Sequence, residues 1–502
     1  MSKLFKATVY VTLLSFVGQA LNFLINSFLA SKLGVGREVD CYLNAISLPT
    51  YIIVIITGSL SATFIPSFID VKEERKRINL ISSLLFLTLI IGVFISFFLY
   101  NYSSEIIKIQ APGFSFELRE YCSYLQRKSL WLINLTIVSE IFSGYYYSIK
   151  QYLIPVINKI ISPIVTILVL ALTSTKINAS IVITASLIGV LIQNIILLFL
   201  YFYRGNLLTI KINFLDKDLK KIIRLMIPLL MGSIFYKILP LFDKYFLSTL
   251  PIGSTSIVNY SQKLFLTSTQ IIGAGLSMQV LSHMANLVSE NNIIEFKAVL
   301  NKIFKLILFL TIPITVIIFY NSLEIVKIVF ERGLFRSIDS EKVAINLMIY
   351  SLAIPTVALG TIVSQGLYVL KQTWAPFIVG ILEIVLYISI CFALVNSKGV
   401  LALPIAYVIY FYFSVFMLQF WLNKKLPYIN LIEIIKTTFK SLIIIFFELF
   451  LLYILNNFIL NQPISILFSI PLLFSIYILI TYYLKFNEAS FIISKIIIKI
   501  KK

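Results

Sequence analysis

Charges that sit inside apolar stretches are the residues of this chain most able to do chemistry. Lys237, Asp243 and Lys244 fall in one such stretch, Lys263 in the next, and Glu383 in a later one. Glu140 and Glu448 are further acids of this kind, and Arg127 and Lys128 enter another stretch from one end. A charge at mid-membrane costs roughly 2.5–3.5 kcal/mol on insertion scales, so each is a functional candidate. Lysine offers a phosphate a mobile point charge, where arginine would offer a rigid fork. Lys237 and Lys244 are seven residues apart and would share one face of a continuous helix. Asp243 either neutralises one of these lysines or holds a coupling Na⁺ or proton. Lys263 either lines a wet cavity or snorkels to an interface. The three cysteines, Cys41, Cys122 and Cys391, lie far apart, and His283 is the sole histidine. Neither makes a metal or redox spacing, and no cofactor is expected.

The elements that must position these charges follow from composition. Hydrophobic residues make up 59% of the chain and charged residues 13%. A soluble chain carries about a quarter charged residues, so this is a polytopic membrane protein. Lipid requires every backbone group to be satisfied within its own segment, which makes the spans helices. The expected all-α fold has about fourteen transmembrane helices, near 7–31, 41–69, 79–100, 123–148, 153–174, 180–203, 222–249, 256–287, 301–320, 342–369, 375–396, 400–422, 438–458 and 463–484. The net charge of +20 reads as lysine and arginine in cytoplasmic loops, not as a nucleic-acid surface. That bias puts both termini in the cytoplasm and the Glu105–Glu120 and Glu324–Lys342 segments outside.

The chain is also written twice. Glu105-Ile106-Ile107-Lys108-Ile109, followed by Ala111-Pro112-Gly113-Phe114, is echoed by Glu324-Ile325-Val326-Lys327-Ile328, followed by Glu331-Arg332-Gly333-Leu334-Phe335. Lys150-Gln151, with Pro155 beyond, returns as Lys371-Gln372, with Pro376 beyond. The offset stays at about 220 residues. Two parallel six-helix lobes around a central cavity are a transporter plan. The expected organisation is an N-terminal lobe at 1–204, a cytoplasmic linker at 205–221, a C-terminal lobe at 222–423, and an additional helix pair with a basic tail at 424–502.

These motifs resemble the MurJ (MviN) family of the MOP transporter superfamily. The likeness runs through Asp40-Cys41-Tyr42, Leu48-Pro49, Gly58-Ser59-Leu60-Ser61 and Phe64-Ile65-Pro66. It continues through Ala111-Pro112-Gly113-Phe114, Tyr260-Ser261-Gln262-Lys263-Leu264 and Glu331-Arg332-Gly333-Leu334-Phe335, to Tyr368 and Pro376. The resemblance implies a flippase for undecaprenyl-diphosphate-linked saccharides in the bacterial inner membrane, not an enzyme. It implies alternating access, a groove for the lipid tail between the two extra helices, and a cation-binding carboxylate in the seventh helix, at Asp243, with Glu383 of the eleventh helix as a second ligand. The eighth-helix arginine of the family appears here as Lys263, flanked by Tyr260 and Gln262. The family's arginines in the first two helices are absent, and the first span offers Gln19, Asn22 and Asn26 instead. The expected substrate site is therefore Lys263, Lys237, Lys244, Tyr260, Gln262, Gln19 and Asn26, acting in a monomer coupled to Na⁺ or protons. The cargo is either a lipid II-like peptidoglycan precursor or a polysaccharide repeat unit. A cation-coupled drug exporter of the same superfamily is the nearest rival. A membrane glycosyltransferase or polymerase would need carboxylates or histidines on a sizeable outer loop.

Overall fold

A computed structural model describes residues 3–71, 73–173, 176–205, 208, 216–426, 439–447, 449–450, 466–484, 486 and 488–490. The described residues are 88% helical, with no strand among them. In chain order the helices are α1 (Lys3–Leu33), α2 (Arg37–Asp70), α3 (Glu74–Asn101), α4 (Ser103–Gln110), α5 (Phe116–Ser129), α6 (Trp131–Ser148), α7 (Leu153–Leu172) and α8 (Ala179–Tyr203). They continue as α9 (Lys217–Tyr236), α10 (Leu239–Ser248), α11 (Ser254–Ser289), α12 (Ile293–Tyr320), α13 (Ser322–Phe330), α14 (Ser337–Ser351), α15 (Ile354–Val369), α16 (Trp374–Lys398), α17 (Ala402–Lys425) and α18 (Ile466–Tyr483). Nine stretches among the described residues are long and apolar enough to cross a membrane, and one of them, Trp374–Lys425, contains both α16 and α17. Glu448, the basic tail from 491 onward and residues 438 and 451–458 of the expected helix at 438–458 lie outside the described residues.

Three expected single helices are broken. The span at 123–148 is α5 and α6, which meet at Leu130. The span at 342–369 is α14 and α15, with Pro355 in the first turn of α15. The span at 222–249 is α9 and α10, with Lys237 in the break and Pro240 in the first turn of α10. A proline lacks the N–H that a helix interior needs but is tolerated in the first turn, so the two prolines set where the new helices start. One expectation falls with the third break. Lys237 has φ −105° and ψ 5°, outside the helix, so it does not share a continuous helical face with Lys244.

The repeated Lys-Gln pairs prove to be helix stops. Lys150 (φ 62°) and Lys371 (φ 60°) adopt the left-handed conformation that usually calls for glycine. Gln151 N donates to Tyr146 O at 2.9 Å and Lys150 N to Tyr147 O at 3.1 Å. Gln372 N donates to Leu367 O at 2.8 Å and Lys371 N to Tyr368 O at 2.9 Å. This is the Schellman arrangement at both places, and it satisfies carbonyls that the ends of α6 and α15 would leave orphaned.

The chain forms two compact units. Unit 1 is Met1–Ser256 with Arg332–Arg336, and unit 2 is Ile257–Glu331 with Ser337–Lys502. Unit 1 is centred on aromatic packing: Tyr201 sits 5.1 Å from both Phe142 and Tyr145, ring centre to ring centre, with Phe64 and Phe68 buried in the same core. In unit 2, Phe265, Tyr350 and Tyr407 pack mutually at 5.2–5.6 Å. Close packing of this kind holds helices together in lipid, where tails are as apolar as leucine and burial gains little.

Candidate functional site

The densest polar cluster of unit 1 is at the start of α2. Asp40 is 2% exposed and lies in the first turn of that helix. One carboxylate oxygen accepts Gly253 N at 2.6 Å. The other accepts Ser256 N at 2.8 Å and the Ser256 hydroxyl. Ser256 lies in the first turn of α11 and Gly253 just before it, where the orphan donors and positive dipole end of that helix favour an anion. Glu38, two residues earlier, does the same for α8: its Oε2 accepts Ala179 N and the Tyr121 hydroxyl, both at 2.8 Å. Two acids on one helix turn thus cap two other helices. Lys244, 9% exposed on α10, acts electrostatically on Asp40.

The two glycine turns of the repeat complete this cluster. Gly333 has φ +63°, and a Cβ there would overlap Ser31 O at the end of α1. The next residue, Leu334, donates its N–H to the same Ser31 O at 2.8 Å. A Cβ on Gly113 would overlap Ser248 O at the end of α10, and Gly113 N donates to Ser248 Oγ at 3.3 Å. Each turn therefore seats a glycine on a helix-terminal serine of the opposite repeat. Glycine is required because backbone meets backbone at both places.

A second cluster sits within the apolar stretches of unit 1, on α2, α6 and α7. The Ser61 hydroxyl donates to Glu140 Oε1, and Lys159 Nζ is 3.3 Å from Glu140 Oε2. The Glu140 side chain is 14% exposed and that of Lys159 is 50% exposed. Asn158 is 2% exposed, and both its amide atoms lack a hydrogen-bond partner among the described residues. An ammonium held on one side by a carboxylate and open on the other can exchange its partner for a phosphate.

The expected site residues are scattered over these elements. Gln19 is exposed on α1, and Asn26 is half-buried there, donating to Asn22 O at 2.7 Å. Lys237 is exposed at the α9–α10 break. Asp243 is buried beside Lys244 on α10. In unit 2, Lys263 is exposed on α11. Tyr260 is 1% exposed and packs 5.0 Å from Phe330, which makes it a core residue and not a cavity-lining one. Gln262 Nε2 donates to the Tyr350 hydroxyl at 3.2 Å. Glu383 on α16 is half-buried and bonded to Ser414 on α17. Asp243 belongs to unit 1 and Glu383 to unit 2. Among the described residues no group of three or more His, Cys, Asp or Glu is placed to hold a metal ion.

Sequence reasoning assigned no role to Asp40, Glu38, Asn158 or Lys159. The partners of Asp40 lie 213 and 216 residues away, which no local pattern reveals. Lys159 was visible by the same rule that selects Lys263, as a lone cation inside the apolar stretch at 153–174.

Comparison with known proteins bears on all of this. The family model described as "Lipid II flippase MurJ" matches residues 29–474. A probable lipid II flippase MurJ of Rickettsia prowazekii is 25% identical over 406 residues, covering 78% of this chain and 79% of the relative. One from Buchnera aphidicola (Schizaphis graminum strain) is 26% identical over 474 residues, covering 90% of each. Among solved structures, a lipid II flippase MurJ in an inward closed conformation superimposes with a TM-score of 0.82 at 21% identity, covering 95% of this chain and 98% of that one. An inward-facing MATE multidrug transporter of the MOP superfamily gives a TM-score of 0.72 at 13% identity, covering 82% and 96%. With the family model spanning most of its length, the chain belongs to the lipid II flippase MurJ family.

Proposed function

We propose that this protein moves lipid II, an undecaprenyl-diphosphate-linked saccharide, from the cytoplasmic to the outer leaflet of the bacterial inner membrane by alternating access. The observation that carries the reading is the family match across residues 29–474. The names of the curated relatives favour lipid II over a polysaccharide repeat unit as cargo. The drug-exporter alternative has only the shared fold of the MATE structures in its favour.

The geometry supplies residues for the two tasks of such a cycle. The Asp40, Gly113 and Gly333 contacts join residues of one repeat to residues of the other, so rocking the repeats apart must break them. By the positive-inside bias they lie on the outer side, with both termini cytoplasmic. They act as the outer fastener. Lys159, with Glu140 as its resting partner, and Lys263 offer the ammonium groups that meet the diphosphate. Asp243 and Glu383 are the carboxylates assigned to Na⁺ or proton coupling.

The test is lipid II translocation in cells depleted of their own flippase, read as lipid II reached by an impermeant probe on the outer face. The expected result is restored exposure when this chain is expressed. A chain that reaches the membrane at normal abundance yet exposes no lipid II, at any Na⁺ concentration or proton gradient, would defeat the proposal.

A further inference from the structure

We propose that unit 1 carries a second ligand site, distinct from both clusters above, for the phosphate and acyl chain of a membrane glycerophospholipid. It is a cavity of about 300 Å³ between the last turns of α3 and the α5–α6 break. Phe97, Tyr100 and Asn101 line it from α3, and Arg127, Trp131 and Asn134 line it from the break.

One end of the cavity is charged and polar. The Arg127 guanidinium carbon lies 5.5 Å from the centre of the Tyr100 ring. Its Nε is buried and has no hydrogen-bond partner among the described residues. Asn134 is 7% exposed, and its Nδ2 donates to Ser96 Oγ at 3.0 Å while its Oδ1 finds no partner among the described residues. Among the described residues no carboxylate lines the cavity. The neighbouring cation behaves differently. Lys128 Nζ donates to Ser180 Oγ at 2.9 Å and to Ser180 O at 3.3 Å, so it is engaged by the protein itself. Arginine stays charged in any environment, and a partly buried guanidinium with an idle N–H calls for an anion.

The other end is apolar and open. Phe97 is 66% exposed, Trp131 63% and Tyr100 52%. Exposed Trp and Tyr at the end of a membrane-crossing helix mark the level of lipid headgroups. An inorganic phosphate would leave the aromatic wall unused, and a diacylglycerol would leave the guanidinium unused. A glycerophospholipid satisfies both ends, with its phosphate on Arg127 and a chain along Phe97 and Trp131.

The chain has three tryptophans, so replacing Trp374 and Trp421 by phenylalanine leaves Trp131 as the sole reporter. The full-length protein, purified in a non-ionic detergent, is titrated with brominated phosphatidylglycerol or brominated diacylglycerol, and Trp131 quenching is read. The expected result is quenching by the phospholipid at about ten-fold lower concentration, as one charge-assisted contact would give. Arg127→Gln should erase that preference, Arg127→Lys should keep part of it, and millimolar inorganic phosphate should not displace the lipid. Equal quenching by the two lipids, or an undiminished preference in a folded Arg127→Gln protein, would overturn the site. Full displacement by inorganic phosphate would equally overturn a lipid occupant. If Arg127→Gln does not fold, the comparison of the two lipids on the parent protein decides alone.

Discussion

Asp40 and Glu140 are both acids within apolar stretches of the same compact unit, yet they are held in opposite ways. Asp40 is 2% exposed and accepts three hydrogen bonds at the start of α11, one from Gly253 just before it and two from Ser256 in its first turn. Glu140 accepts one hydroxyl and a single contact from a lysine that is half exposed. A buried carboxylate held by two backbone amides and a hydroxyl is suited to fastening the chain. A pair with one open side can trade partners. The distinction matters because intramembrane charge alone, the first sign of function in a sequence, does not separate the two roles.

The comparison breaks first at the glycine turns. Gly333→Val adds a Cβ where the backbone has positive φ and where Ser31 O already stands. Neither atom can yield as a flexible side chain would, so folded protein should fall severely, by more than about 2 kcal/mol in stability. Gly113→Val, set against Ser248 O, should act in the same direction. Thermal unfolding in detergent checks both, and a wild-type melting curve for either variant would show that the seat is not as close as described.

Asp40→Ala comes next. It strands three donors in a buried place, and hydrogen bonds to charged groups are worth about 1.5–3 kcal/mol each. Melting temperature and transport should fall together, with Asp40→Asn intermediate in both. If Asp40→Ala melts normally and loses only transport, Asp40 is a working group and the proposed contrast with Glu140 is lost.

Asp243→Asn should have a smaller and different effect. Transport should drop more than abundance does, and any dependence on Na⁺ or on the proton gradient should flatten. Unchanged transport across ion conditions would leave Asp243 as a counter-ion beside Lys244. The smallest effect is expected at Lys263, which is exposed on α11. Lys263→Arg should transport at close to the parental rate, while Lys263→Ala should lose about ten-fold, the size of one charge-assisted contact. Full activity in Lys263→Ala would remove it from the substrate site.

Much of the scaffold was legible, because composition and the two-fold repeat dictate helices and their order. The break at Lys237 was written in Pro240, and the break before Ile354 in Pro355. The break at Leu130 was not, since Ser129-Leu130-Trp131 contains no proline or glycine. It could have been projected from the second copy, where the matching break lies about 220 residues on. The Lys-Gln echo was visible, but its role as a left-handed helix stop was hidden because lysine stands where glycine is usual. The site was less legible than the scaffold. Lysines were sought in the expected spans at 222–249 and 256–287, whereas the Glu140–Lys159 ion pair joins α6 to α7. Tyr260 was read as lining the site from its place one helical turn before Lys263, but its ring packs into the core against Phe330.

The most direct test of the account sets Lys159→Ala beside Asp40→Asn, with lipid II translocation and melting temperature measured on both. The account predicts that Lys159→Ala folds normally and reaches the membrane but translocates about ten-fold less, as loss of one charge-assisted contact implies. Lys159→Arg should recover most of that loss, and Asp40→Asn should lower both quantities at once. Translocation at the parental rate by Lys159→Ala would contradict the claim that the open ion pair is where the substrate's phosphates are met.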